Sequence, residues 1–216
     1  MARARRTTGL LAAALVLGMA GAASAAEEPL RIVAFGDSLT AGYGLEPGQG
    51  FPARLQAALT DKGYAVEVLD AGVSGDTTAM GLARLDWSIP EDASAVIVEL
   101  GANDALRGQP PERTRANLEA ILDRLSARGL PVLVAGMRAP PNLGPDFAAR
   151  FDPIFAEVAA SHGALFYPFF LDGVAGDPAL NQRDGMHPTA EGIEIITARI
   201  LPEVEELVAR ASASGE

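Results

Sequence analysis

Five short apolar runs, separated by segments of helical periodicity, constrain this chain more than any other feature. The runs are Leu30–Phe35, Ala65–Leu69, Ala95–Leu100, Pro131–Gly136 and Ala164–Tyr167. They are nearly continuous rather than alternating, which predicts strands covered on both faces. Between them, Phe51–Lys62 has Pro52 near its start, Leu55 and Leu59 on one face, and Gly63 as its stop. Pro111–Arg128 places Leu118, Ile121, Leu122 and Leu125 at helical spacing and ends at Gly129. Phe147–Ser161 and Thr189–Arg210 are expected to be helical, the last broken or kinked at Pro202. This alternation predicts the α/β class, a parallel sheet with helices on both faces. No repeat, linker or boundary interrupts it, so a single domain is expected.

Composition narrows the function. The 216 residues are 49% apolar and 21% charged, as in a globular protein with a real core. With 17 basic and 28 acidic residues the formal charge is −11. That argues against a nucleic-acid partner, whose affinity comes mainly from Lys and Arg on phosphates. The absence of cysteine excludes disulfides, thiolate metal sites, a thiol nucleophile and a lipid-modified N-terminal Cys.

The first residues read as an export signal. Arg3, Arg5 and Arg6 precede an uncharged stretch, residues 7–26, with Leu10, Leu11, Leu15, Val16, Leu17 and Met19 at its centre and Ala23-Ser24-Ala25 at its end. A positive start, an apolar middle and a small-x-small exit predict a secretory signal peptide over residues 1–25. A transmembrane anchor is the competing reading, but Ala and Gly make up most of the run. Cleavage would leave residues 26–216 with 14 basic residues and a charge of −14, a periplasmic or secreted protein without a stable membrane anchor.

Open parallel sheets place their site outside the carboxyl ends of the strands. The first strand is followed by Gly36-Asp37-Ser38-Leu39 and the second by Asp70-Ala71-Gly72-Val73-Ser74-Gly75-Asp76. The third is followed by Gly101-Ala102-Asn103-Asp104, and the fifth by a long stretch ending Asp184-Gly185-Met186-His187-Pro188. Four polar, glycine-containing segments thus converge on one edge. A serine hydroxyl needs a base, and the base needs an orienting partner. The chain has two histidines. His162, in Ser161-His162-Gly163, fits a helix C-terminus and a structural role. His187 has Asp184 three residues before it, close enough for the carboxylate to reach the imidazole. Ser38 is either a nucleophile above the sheet or a helix N-cap. Gly75 offers a backbone N–H or turn geometry, and Asn103 an amide donor or an Asx-turn. Asp37, Asp76 and Asp104 fit supporting or turn roles better than catalytic ones.

In combination the four segments resemble the GDSL family of esterases and lipases, also called SGNH hydrolases. They stand in that family's order and span residues 30–190. The text of Gly36–Tyr43, Ser74–Leu85, Val98–Gly108 and Pro168–Phe170 is most similar to its periplasmic acyl-CoA thioesterase/lysophospholipase and arylesterase subgroup. The resemblance implies a three-layer α/β/α, flavodoxin-like fold with a five-stranded parallel sheet. It implies Ser38 as nucleophile, His187 as base and acid oriented by Asp184, and an oxyanion hole of the Ser38 and Gly75 N–H groups with the Asn103 side chain. No metal or cofactor is implied. The substrate would be a small acyl ester, thioester or lysolipid, and the protein a monomer. Leu143 and Phe147, in the apolar, proline-rich loop Arg138–Arg150, are expected to line an acyl groove or else to pack on the core.

Three readings compete. A carbohydrate acetylesterase belongs to the same family. A nucleotide-binding protein is suggested by Gly42-Tyr43-Gly44 and Gly48, but the third glycine falls one residue late and Pro47 stands where a phosphate-binding helix should begin. A non-catalytic acyl or glycan binder would not need Ser38, Asp184 and His187 together. The nucleophile pattern G-x-S-x-G is missed narrowly at Gly72-Val73-Ser74-Gly75-Asp76, against an ordinary α/β-hydrolase.

Overall fold

A computed structural model describes residues 1–2 and 28–214. The signal-peptide expectation lies outside the described residues. Strands β1 (Leu30–Gly36), β2 (Val66–Gly72), β3 (Ala95–Glu99), β4 (Val132–Ala135) and β5 (Leu165–Tyr167) form one sheet in the order β2-β1-β3-β4-β5, every pair parallel. Each overlaps one of the five apolar runs. β3 and β4 are buried along their whole length, whereas the edge strand β2 is mostly half-buried. Continuous Val, Ile and Leu runs are what a strand with helices over both faces requires.

The helices are α1 (Ser38–Ala41), α2 (Phe51–Asp61), α3 (Thr78–Ser88), α4 (Ala102–Leu106), α5 (Pro111–Ala127), α6 (Pro145–Phe151), α7 (Pro153–Ser161) and α8 (Ala190–Ser214). α2 packs with α8, while α3 packs with α5 and α5 with α7, so the two sets cover opposite faces. The expected three layers are present. Among the described residues, no helix is long and apolar enough to cross a membrane.

Four local expectations need correction. Phe147–Ser161 is two helices, because Pro153 lacks the N–H and interrupts the run after Phe151. The last helix is not broken at Pro202. Ile193, Ile196 and Ile200 on one side of it and Val204, Leu207 and Val208 on the other are buried. A buried Ile, Leu or Val is worth about 1.5–3 kcal/mol, which together exceed the cost of about 3 kcal/mol for an interior proline. Asp70-Ala71-Gly72 belongs to β2 and not to the loop, held by pairing through Gly36↔Gly72. Helix α3 was not anticipated: it buries Thr78, Gly81, Arg84 and Leu85, a face at helical spacing made largely of polar and small residues.

Connections from β1 turn one way, to β2, and the next turns back to β3. The chain reversal lies between β1 and β3, where sheets of this order open a crevice at their carboxyl ends. Asp37-Ser38 leaves β1 there, and Asn103 follows β3.

Candidate active site

Ser38 is the first residue of the one-turn helix α1. The N-cap is Asp37, whose carboxylate accepts the Leu39 N–H at 3.0 Å, so the capping role considered for Ser38 is taken by its neighbour. Gly36 lets this turn fit: a Cβ there would lie 2.0 Å from Thr40 Oγ1 and 2.7 Å from the Glu99 backbone oxygen.

The loop after β5 brings His187 to Ser38. Asn181 anchors it, donating to the carbonyls of Val174 and Asp177 at 2.7 and 2.8 Å. Gln182 then donates to the Tyr43 carbonyl at 2.7 Å, tying this loop to the one after α1. One oxygen of Asp184 accepts the N–H groups of Met186 and His187 at 2.9 and 3.0 Å. The other meets His187 Nδ1 at 2.7 Å, and His187 Nε2 lies 2.9 Å from Ser38 Oγ. Those two backbone bonds, with the imidazole, hold the Asp184 carboxyl down to about 2. It is an anion in the neutral range and stabilises a positive charge on the ring. Tyr43 lies against that ring, centroids 4.7 Å apart.

Two further groups lie on segments tied to the turn after β1, where Val73 N–H donates to the Gly36 carbonyl and Asn103 bonds Asp37. Gly75 sits at φ +89°, a conformation that favours glycine. Among the described residues neither the Ser38 nor the Gly75 N–H has an acceptor. Asn103 donates one amide hydrogen to Asp37 Oδ2 at 3.0 Å, which leaves the other free. The bond fixes the amide and anchors α4 to the nucleophile turn.

Buried carboxyls lie beneath. Asp37 is fully buried, and loss of water pushes it up to about 6 against the bonds from Leu39 and Asn103. Glu99, also fully buried, is pushed well above the usual range, first by burial and then by the Asp37 charge. Its Oε2 accepts Thr40 Oγ1 at 2.8 Å, and Oε1 has no partner among the described residues. Burial and the Asp37 charge thus both favour the protonated form of Glu99.

The residues expected at the site thus divide. Ser38, Asp184 and His187 form one hydrogen-bonded chain. Asn103 reaches the same turn through Asp37. Leu143 and Phe147 are half-buried against the core, and Phe147 stacks on Phe151 at 5.5 Å. His162 caps α7, as expected of a structural histidine. Tyr43, Glu99 and Arg84 were not picked out, because nothing in an exposed Tyr, a strand Glu or a helical Arg signals a site.

Comparison with known proteins decides the family. The model of the GDSL-like lipase/acylhydrolase family matches residues 34–195. The chain belongs to this family. It is 40% identical over 185 residues to esterase TesA of Pseudomonas aeruginosa, covering 85% of this chain and 91% of that one. An arylesterase of Vibrio mimicus is 38% identical over 171 residues, covering 79% of this chain and 84% of the relative. The crystal structure of TesA superposes with a TM-score of 0.78 at 38% identity, over 82% of this chain and 99% of that one. The SGNH-hydrolase esterase AlinE4 gives 0.71 at 46% identity, over 83% and 96%. This GDSL-family member is a hydrolase of acyl esters, on the three-layer fold of the SGNH hydrolases.

Proposed function

We propose that this hydrolase works through a Ser38 acyl-enzyme. The carrying observation is the continuous chain from Ser38 Oγ through His187 to Asp184, 2.9 and 2.7 Å per link. Neutral His187 takes the Ser38 proton as Oγ attacks the acyl carbonyl. The oxyanion is held by the Ser38 and Gly75 N–H groups and the free Asn103 amide hydrogen. His187 then gives the proton to the leaving oxygen or sulfur. Water, activated by the same imidazole, releases the acid and restores Ser38. The Asp184 carboxylate keeps Nδ1 protonated and Nε2 free to accept.

The substrates we infer are aryl and short acyl esters, acyl thioesters and lysophospholipids. Names of relatives support that range: the Escherichia coli thioesterase 1/protease 1/lysophospholipase L1 is 34% identical over 186 residues, 86% of this chain and 87% of its own. The reading also includes export after loss of residues 1–25, one catalytic domain over the remainder, and a monomer. A serine-directed phosphonate tests the core of it. Wild type should be labelled at Ser38, and Ser38→Ala should neither label nor hydrolyse. Labelling elsewhere with activity retained would give the nucleophile's role to another residue.

The acyl groove is the finer part of the proposal. Leu143 and Phe147 follow β4 on the same edge as Ser38. If they line the groove, Leu143→Ala and Phe147→Ala should cost more as the acyl chain lengthens, by up to ~0.8 kcal/mol for each buried methylene. kcat/KM over C2 to C12 nitrophenyl esters measures this. Equal losses at every length would make them core residues only.

A further inference from the structure

Helix α3 holds the backbone on which all three proposed oxyanion donors sit. Arg84, on its buried face, is 6% exposed. Its Nε meets Asp76 Oδ2 at 2.5 Å, and its Nη2 donates to the Gly36 carbonyl at 2.8 Å. Asp76 follows Gly75; Gly36 comes two residues before Ser38. One planar guanidinium therefore spans the two loops that carry the Ser38 and Gly75 N–H groups. The same loops meet again where Val73 N–H donates to the Gly36 carbonyl at 3.0 Å. Nη1 turns away to Ser88 Oγ at 3.1 Å, and the cation lies 4.2 Å from the Phe35 ring centroid. At its other end, α3 reaches the third donor. Thr78 gives its N–H and its hydroxyl to Asp104 at 2.8 and 2.5 Å, and Asp104 follows Asn103.

We propose that Arg84 is a positioning residue for ester hydrolysis, setting the separation of the Ser38 and Gly75 N–H groups. The inference rests on the oxyanion hole described above. A buried ion pair contributes little net stability, because desolvation offsets attraction. What this one supplies is geometry. Arg presents several donors in a rigid fork, whereas Lys presents three on one atom and cannot reach Asp76, Gly36 and Ser88 at once. Gly75, at positive φ and with its own N–H unpaired, has few restraints besides those on its neighbours. Arg107 adds one, donating to the Gly75 carbonyl at 2.7 Å from the exposed side.

The test is Arg84→Lys beside Ser88→Ala and Asn103→Ala, with kcat, KM and pH profile measured on a short nitrophenyl ester. Arg84→Lys should lower kcat by about 10²-fold, the scale of a misplacement of about 1 Å. KM and the pH profile should hold, and the rate of phosphonate labelling should fall with kcat. Ser88→Ala removes only the bond that points away from the loops and should leave kcat near wild type. Wild-type kcat in folded Arg84→Lys overturns the proposal. So does an equal loss in Ser88→Ala, which would mean general loosening of α3, or a displaced acid limb, which would mean disturbance at His187. Should Arg84→Lys not fold, Asp76→Asn/Arg84→Met leaves no unpaired buried charge and is read by the same criteria. If Asn103→Ala also keeps its rate, the oxyanion hole itself fails. If Asn103→Ala alone loses rate, the hole stands and only Arg84's role fails.

Discussion

Among the described residues two Ser–His–Asp groupings stand at opposite ends of the sheet. At the carboxyl end are Ser38, His187 and Asp184. At the amino end, where α7 runs into β5, His162 Nδ1 lies 3.1 Å from Ser161 Oγ and Nε2 lies 3.1 Å from Asp123 Oδ1. The difference is in the backbone around them. Ser161 ends α7 and donates to the Val158 carbonyl at 3.0 Å; the same carbonyl lies 2.9 Å from His162 Nδ1. Terminal carbonyls of a helix repel a developing oxyanion. Ser38 begins a helix, beside N–H groups with no acceptor. The amino end also has a cavity of about 440 Å³, lined by Leu122, Ser126, Val132, His162 and Arg210 among others. Neither the three residue types nor a concavity makes a site. Donors aimed at the incipient charge do.

Substitution of the serines separates the two groupings most sharply. Ser38→Ala should reduce kcat by about 10⁶, the usual scale for losing a nucleophile, while Ser161→Ala leaves it unchanged. Steady-state hydrolysis of a nitrophenyl ester reads both, and a fall with Ser161→Ala would erase the distinction. The aspartates come next. Asp184→Asn should cost about 10⁴ in kcat, since the imidazole loses both tautomer and counter-charge. Asp123→Asn, whose partner is structural, should alter at most thermal stability.

The smaller effects sharpen the carboxyl end alone. Asn103→Ala should lower kcat by about 10²–10³, the cost of one oxyanion donor; an unchanged kcat would assign Asn103 to turn structure. Asp37 yields a pH signature. Its native pKa of about 6 lies above the ordinary 3.8, so the folded protein holds this proton more tightly than the unfolded chain. Its contribution to stability is full below 3.8 and is lost as pH rises to about 6. Activity runs the other way, because the ionised carboxylate grips Asn103 more strongly. Asp37→Asn should therefore flatten the fall in Tm between pH 4 and 6. It should also lower kcat/KM at neutral pH by about tenfold, a charged hydrogen bond being worth about 1.5–3 kcal/mol. An unaltered Tm profile would show that Asp37 does not carry this titration.

Sequence by itself determined the strands, the helices of ordinary amphipathic pattern, and the four polar segments in their order. Periodic burial of apolar side chains dictates the first two, and short-range turn chemistry marks the third. It also singled out His187 over His162, through Asp184 three residues away. Tertiary structure decided what depends on residues far apart in the chain. Arg84 reads as one more surface cation until folding buries it between Gly36 and Asp76. Glu99 reads as a strand residue until Asp37 and Thr40 close over it. The N-cap is Asp37 and not Ser38, and Asn103, 66 positions from Asp37, bonds the other oxygen of its carboxylate. Hydrophobic periodicity is a local property of the chain. Burial of a charge, and the partner that compensates it, exist only once distant segments meet.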